Sequence, residues 1–181
     1  MRFYSVLACS ALALFIPCSF QATAESVDSA VQKKLDEKIK VISAWGKDSI
    51  LIAAIKAYKP PSDAAGMTQE KWKSLSLLDG FARSFSKNQI GEFLKSKKDE
   101  TISEAFVSAA DGTKLGFLTK PTSWTHKGKP KHELPMSGKT WQGEIEQDES
   151  TGAKQIQLAV PVLDGSSAVG SLVVGFIISK L

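Results

Sequence analysis

Apolar residues recur at steps of three and four early in the chain and at steps of two later on. Val27, Val31, Leu35, Ile39, Ile42 and Trp45 share one helical face, while Lys33, Lys34, Asp36, Glu37, Lys38 and Lys40 fill the other, which is the pattern of an amphipathic helix. Gly46 costs helicity, and Asp48 or Ser49 offers a cap for a restart into ILIAAIKAY. Val27 to Tyr58 therefore predicts one long helix, or two separated by a kink. Pro60-Pro61 ends it. Thr68 is the expected N-cap of a helix running to about Phe85, with Trp72, Leu75 and Leu78 on its inner face. Ser86-Lys87-Asn88-Gln89 has the S-x-x-Q form of a capping box ahead of a short helix, IGEFLKS.

After the polar connector KSKKDE the period changes. Ile102 to Ala109 and Lys114 to Leu118 read as two strands joined by Asp111-Gly112, a hairpin signal because glycine tolerates positive φ. Thr119 to Thr140 reads as a long polar loop with Pro121, Pro130 and Pro135; a loop of that length within a domain is more often functional than idle. Trp141 to Leu181 then gives three strands separated by the turn clusters DESTG and DGSS. Ile156, Leu158, Val160 and Val162 alternate with Gln155 and Gln157 on the opposite face, and the last strand is apolar on both faces, which places it centrally in a sheet. Helices followed by hairpin-linked strands predict an α+β domain, with a long N-terminal helix and shorter helices on an antiparallel sheet of about five strands.

The 181 residues suffice for one domain with a real core. Arg2, the apolar run from Val6 to Phe20 and Ala22-Thr23-Ala24 have the form of a signal peptide, with cleavage expected after Ala24 and a mature domain over 25–181. Cys9 and Cys18 both fall inside that segment. An exported chain without disulfides suits a bacterial periplasm, and a soluble periplasmic or secreted product is expected. The formal net charge of +4 is too mild to argue for nucleic acid, and no basic run is interleaved with aromatics.

The order of these pieces resembles an extracytoplasmic sensor domain of the Cache type, whose core is a PAS-like sheet. The resemblance is carried by WGKDSILIAAIKAY, LSLLDG, NQIGEFLKS, the strand–turn–strand unit EAFVSAADGTKLGFLT, the loop PTSWTHKGKPKHE and the terminal WQGEIEQDESTGAKQIQLAVPVLDGSSAVGSLVVGFIISKL. It implies a small organic ligand held between the sheet and the long connections on one side of it, and signalling through a membrane receptor or kinase. The chain ends at Leu181 without a transmembrane helix or output module, so output is expected to belong to a separate partner.

The chemistry points to binding rather than catalysis. Ser137-Gly138-Lys139-Thr140 resembles the end of a phosphate-binding loop, but Glu133 stands where its first glycine belongs. His126, His132 and Glu133 share the long loop, where they are expected in solvent rather than on a metal. Asp148 and Glu149 are explained by turn chemistry. No nucleophile elbow is present, and neither enzymatic activity nor a cofactor is expected. A pocket is expected from Trp124 and Trp141 with Phe106 and Phe117, and from Ser123, His126 and Lys131 as polar partners. The alternative is an interaction protein that forms a homodimer through the long N-terminal helix.

Overall fold

The structure, a computed structural model, describes residues 27–147 and 152–181. The expected signal segment and the Asp148-Glu149 pair lie outside the described residues. The leading segment forms two helices, α1 (Ser29–Trp45) and α2 (Ser49–Ala57), as the kinked alternative requires. Asp28 caps α1 by accepting from the Ala30 amide, and Asp48 caps α2 by accepting from Ile50. Two short helices follow, α3 (Gln69–Ser74) and α4 (Gly80–Lys87), then α5 (Gln89–Lys97).

The strands are β1 (Ile102–Ala109), β2 (Lys114–Phe117), β3 (Trp141–Gln147), β4 (Lys154–Asp164) and β5 (Ser167–Ile177). They form one antiparallel sheet in the order β2-β1-β5-β4-β3. This is the α+β, PAS-like architecture expected, with the doubly apolar last strand at its centre. The Asp111-Gly112 hairpin is also present, with Gly112 at φ 86°.

One face of the sheet carries the larger core. Ile156, Leu158, Val160 and Val162 of β4 and Leu172, Val174 and Phe176 of β5 meet Leu35 and Ile42 of α1, Leu51 of α2 and Ile90 and Leu94 of α5. Burying each such side chain contributes about 1.5–3 kcal/mol. The junction between α1 and α2 sits directly on the sheet, where the Leu163 amide donates to the Gly46 carbonyl at 2.8 Å. A Cβ on Gly46 would lie 2.3 Å from the Pro161 carbonyl oxygen, so this close approach admits no side chain.

Three expectations are corrected. The helix expected from Thr68 to Phe85 is two helices. The Asp79 carboxylate accepts from Phe81 and Ala82 and starts a new helix, and Leu78, expected inside, is exposed in the turn between them. The capping box is not formed. Asn88 caps α5 by accepting from Gly91, while Ser86 lies within α4 and its hydroxyl donates to the Arg83 carbonyl. The stretch 119–140 is not all loop, because Pro130–Met136 forms a helix, α6, with proline at its start. The segment compared with a phosphate loop is the end of α6, where Gly138 adopts φ 80°.

Substituting Gly46→Ala should lower stability by about 1–3 kcal/mol, read as a lower urea midpoint. An unchanged midpoint would contradict the close packing of this junction on β4.

Candidate functional site

The other face of the sheet is built in three rows. Register pairs Phe117 with Phe106, Phe106 with Val173, Val173 with Ala159, and Ala159 with Trp141. These residues run as an apolar row across all five strands. Two residues along from Phe106 in one direction, Ser108 is paired with both Lys114 and Ser171, and Ser171 with Pro161. Two residues along in the other direction, Glu104 is paired with Gly175 and Gly175 with Gln157. An apolar band is thus flanked on each side by polar residues at strand spacing.

The aromatic end of the apolar row is tightly closed. Trp72, Phe85, Phe117 and Trp124 pack with centroids 5.1–6.0 Å apart, and the Trp72 indole donates to the Pro121 carbonyl at 2.7 Å. The backbone amide of Trp124 donates to Gln69 at 2.9 Å, so α3 holds the loop by its own polar contact.

The first polar row centres on Lys114, which is 1 % exposed. Its amine lies 2.6 Å from His126 Nδ1, 3.2 Å from the Ser108 hydroxyl and 4.5 Å from the Phe106 ring centroid. Burial holds this amine well below the usual lysine range, helped by Lys131 and opposed by the Glu104 carboxylate. Burial, followed by the Lys114 charge, pushes His126 down to about 2. The ring is therefore neutral, and its Nδ1 accepts from the amine. Nearby, His132 Nδ1 lies 2.8 Å from the Ser171 hydroxyl and Nε2 lies 3.3 Å from the Ala110 carbonyl. A carbonyl can only accept, so Nε2 donates to Ala110.

The second polar row is an amide-bridged ion pair. Lys131 of α6 donates to Gln157 at 2.6 Å, and Gln157 donates to Glu104 at 2.6 Å. Gln155 also donates to Glu104, at 2.9 Å, and accepts from the Ser103 hydroxyl. Burial lowers the Lys131 pKa although Glu146 and Glu104 raise it. Gly175 makes room for the row, since a Cβ there would lie 2.6 Å from the Ser103 hydroxyl and 2.7 Å from Gln155 Oε1.

Helix α6 covers this half of the face. It is fastened by Lys131 to the second row and by His132 to the first. Gly128 at φ 77° and Gly138 at φ 80° flank it, and nothing stands within 4 Å of a Cβ built on either. Both are free of steric demand, and their backbone conformation is one that few other residues adopt. Among the described residues, every buried side-chain nitrogen and oxygen has a hydrogen-bond partner. The buried polar atoms of the two rows thus find partners within the protein itself.

The expected pocket residues divide accordingly. Phe106, Phe117 and Trp124 lie in one buried cluster with Trp141 packed against it, His126 lies over Phe106 with centroids 4.8 Å apart, and Lys131 reaches the sheet through Gln157. Ser123 is half-buried beside Trp124 in the chain. The expectation that both histidines face solvent is wrong: His126 is 4 % and His132 2 % exposed. Their hydrogen bonds to Lys114 and Ser171 compensate that burial. Sequence reasoning missed Glu104, Ser108, Lys114 and Ser171. For Glu104, Ser108 and Ser171 the signal was phase, because each lies two residues from Phe106 or Val173 on its strand, whereas Lys114 is three from Phe117 and reaches the row only through the register shift between Val107 and Ser108. A separate cleft of about 250 Å³ lies between α2 and the α4–α5 junction, lined by Tyr58, Ser84, Asn88 and Ile90 among others. Burial there pushes the Tyr58 hydroxyl up to about 12. Among the described residues, no group of three metal-ligating side chains occurs, and no helix is long and apolar enough to cross a membrane.

No protein-family model and no curated relative matches the chain. Solved structures do resemble it. The sensor domain of the Vibrio cholerae histidine kinase DctB is similar at 17 % identity and a TM-score of 0.46, over 83 % of this chain and 52 % of that one. The ligand-binding domain of the Pseudomonas aeruginosa amino acid chemoreceptor PctC, solved with GABA, is similar at 11 % identity and a TM-score of 0.48, over 84 % and 57 %. That of the Campylobacter jejuni chemoreceptor Tlp3, solved with 4-methylisoleucine, gives 9 % identity and 0.44, over 83 % and 56 %. The chain spans little more than half the length of each. The fold assignment rests on the strand order and register described above.

The neutral state of His126 has a pH signature. Below about pH 6.5 the unfolded chain protonates this ring, whereas the folded protein resists doing so until about pH 2. Stability should therefore fall as pH drops through that window, by up to about 1.4 kcal/mol per pH unit from this group. In His126→Asn the urea midpoint should decline less steeply between pH 6.5 and 4.5 than in the unsubstituted protein. Equal slopes would contradict a buried neutral ring.

Proposed function

We propose that this chain is an extracytoplasmic, sensor-like domain of the Cache type. It binds a small organic ligand between α6 and the sheet and reports occupancy to a membrane signalling partner. The observation that supports this is the three-row face, where an apolar band lies between two buried polar rows beneath a helix held by side-chain hydrogen bonds. A face that served only as a core would be more simply built from apolar residues, since burying polar groups stabilises little even when they are paired. Hydrogen-bonding groups flanking an apolar floor are what orient a small molecule in a pocket. Lifting α6 exchanges the Lys131–Gln157 and His132–Ser171 contacts for contacts to the ligand. Phe106, Trp141, Lys131, His126 and Lys114 are the residues that would meet it, while Trp124 and Phe117 form the end wall. The reading is one of binding, with the domain over 25–181 exported by the segment that ends at Ala24.

Self-association through α1 is the weaker reading. The stripe a helix pair would use includes Leu35 and Ile42, which are buried against the sheet, leaving Val41 of α1 outward, with Ile50 on the following helix α2.

Thermal unfolding against amino acids, carboxylates, amines and purines tests the binding reading. At least one class should raise the melting temperature in step with its concentration, with stabilisation of about 2.7 kcal/mol at a hundredfold excess over Kd. Lys131→Met should remove most of that shift while leaving the ligand-free protein folded. No shift across the panel would contradict a ligand-binding role.

A further inference from the structure

The turn between α3 and α4 displays two leucines to solvent, Leu77 at 63 % and Leu78 at 78 % exposure. They do not hold the turn together. Leu75 and Phe81 on either side pack inward on the aromatic cluster. The Asp79 amide donates to the Ser76 carbonyl at 3.1 Å, and the Leu78 amide donates to the Ser76 hydroxyl at 3.2 Å. The Asp79 carboxylate is engaged in capping α4. The two leucines are thus presented at the apex of a turn whose shape is fixed by other residues.

Beside them, a shallow groove of about 410 Å³ is lined by Leu78, Gly80, Arg83, Ser84, Lys87 and Asn88. Arg83 and Lys87 lie four residues apart on α4 and are exposed, and neither enters an ion pair among the described residues. Lys71 and Lys73 are exposed on α3. Lys71 donates to the Gly66 carbonyl, and Lys73 has Glu70 in its field.

We infer that this turn is a docking point for an anionic lipid bilayer, with Leu77 and Leu78 entering the acyl boundary and Arg83 and Lys87 meeting lipid phosphates in the groove. A turn carrying two exposed apolar side chains, bordered by the cations Arg83 and Lys87 without ion-pair partners among the described residues, fits the boundary of a charged bilayer. Leu78 is the one large apolar side chain lining the groove, which gives an acidic, leucine-bearing peptide little apolar track to follow. The inference is independent of the ligand site beneath α6, which lies on other elements.

The test is amide hydrogen exchange at residues 75–80 in the full chain. This readout is confined to the turn and is blind to any vesicle contact made by the apolar N-terminal segment. Exchange should slow severalfold with phosphatidylglycerol vesicles but not with phosphatidylcholine vesicles or free inorganic phosphate. Arg83→Gln with Lys87→Gln should weaken the vesicle affinity read at this turn by about thirty-fold, and Leu77→Ser with Leu78→Ser should abolish the slowing. All four side chains are exposed, so circular dichroism should show both variants folded. Four results would each overturn the inference: no slowing at the turn, equal slowing on phosphatidylcholine, an unchanged vesicle affinity after Arg83→Gln with Lys87→Gln, or slowing that survives Leu77→Ser with Leu78→Ser. Protection by an acidic, leucine-bearing peptide in place of vesicles would overturn it in favour of a protein partner.

Discussion

The central strand of this sheet has few polar side chains with which to face water. In β5, Leu172, Val174 and Phe176 point to one side and Ser171 and Val173 to the other, and all are buried. Both faces of the sheet must therefore be covered, and the chain supplies two different covers. α1, α2 and α5 close one side with aliphatic packing. On the other side, α3 and α4 close only the end beside β2, through the cluster around Trp72 and Phe85. The remainder falls to the 119–140 segment, and α6 is the part of it that lies on β4 and β5.

The two covers have different energetics. The helical layer is held by side chains whose burial is stabilising in itself. The α6 layer is held largely by hydrogen bonds between polar groups that had to be desolvated, and such contacts contribute about 0.5–1.5 kcal/mol each when complete. The Lys114 amine illustrates the point. It is enclosed by a neutral imidazole, a hydroxyl and a phenyl ring, with carboxylate help only at longer range from Glu104. In the proposed function this is the cover that lifts, because its polar contacts are of the kind that a ligand replaces. Structure and proposed function therefore meet in α6, with glycines in left-handed conformation at both of its ends.

Much of this fold was legible in the pattern of residues. Gln155 and Gln157 opposite Ile156 and Leu158 set the two faces of β4, and the doubly apolar run at the end of the chain marked β5 as central. What could not be read depends on partners distant in sequence. His132 is buried because Ser171, 39 residues on, receives it, and Lys114 because His126 does. Neither pairing leaves a local trace. Helix α6 escaped notice because seven residues with proline at their start and Pro135 within carry almost no apolar period. The single helix expected over 68–85 failed for a local reason. Asp79 is a stronger helix start than the apolar spacing of Leu75 and Leu78 is a reason to continue. Of the residues expected together, the aromatic cluster of Phe106, Phe117, Trp124 and Trp141 was legible, whereas the polar rows beside it were seen only in part.

A crystal structure with whichever compound most raises the melting temperature tests whether ligand enters beneath α6. The compound should lie between α6 and strands β4 and β5, in contact with Lys131 or Lys114, with α6 displaced at Gly128 and Gly138. A compound seated instead in the cleft beside Tyr58 and Asn88, with the Lys131–Gln157 and His132–Ser171 contacts intact, would contradict it.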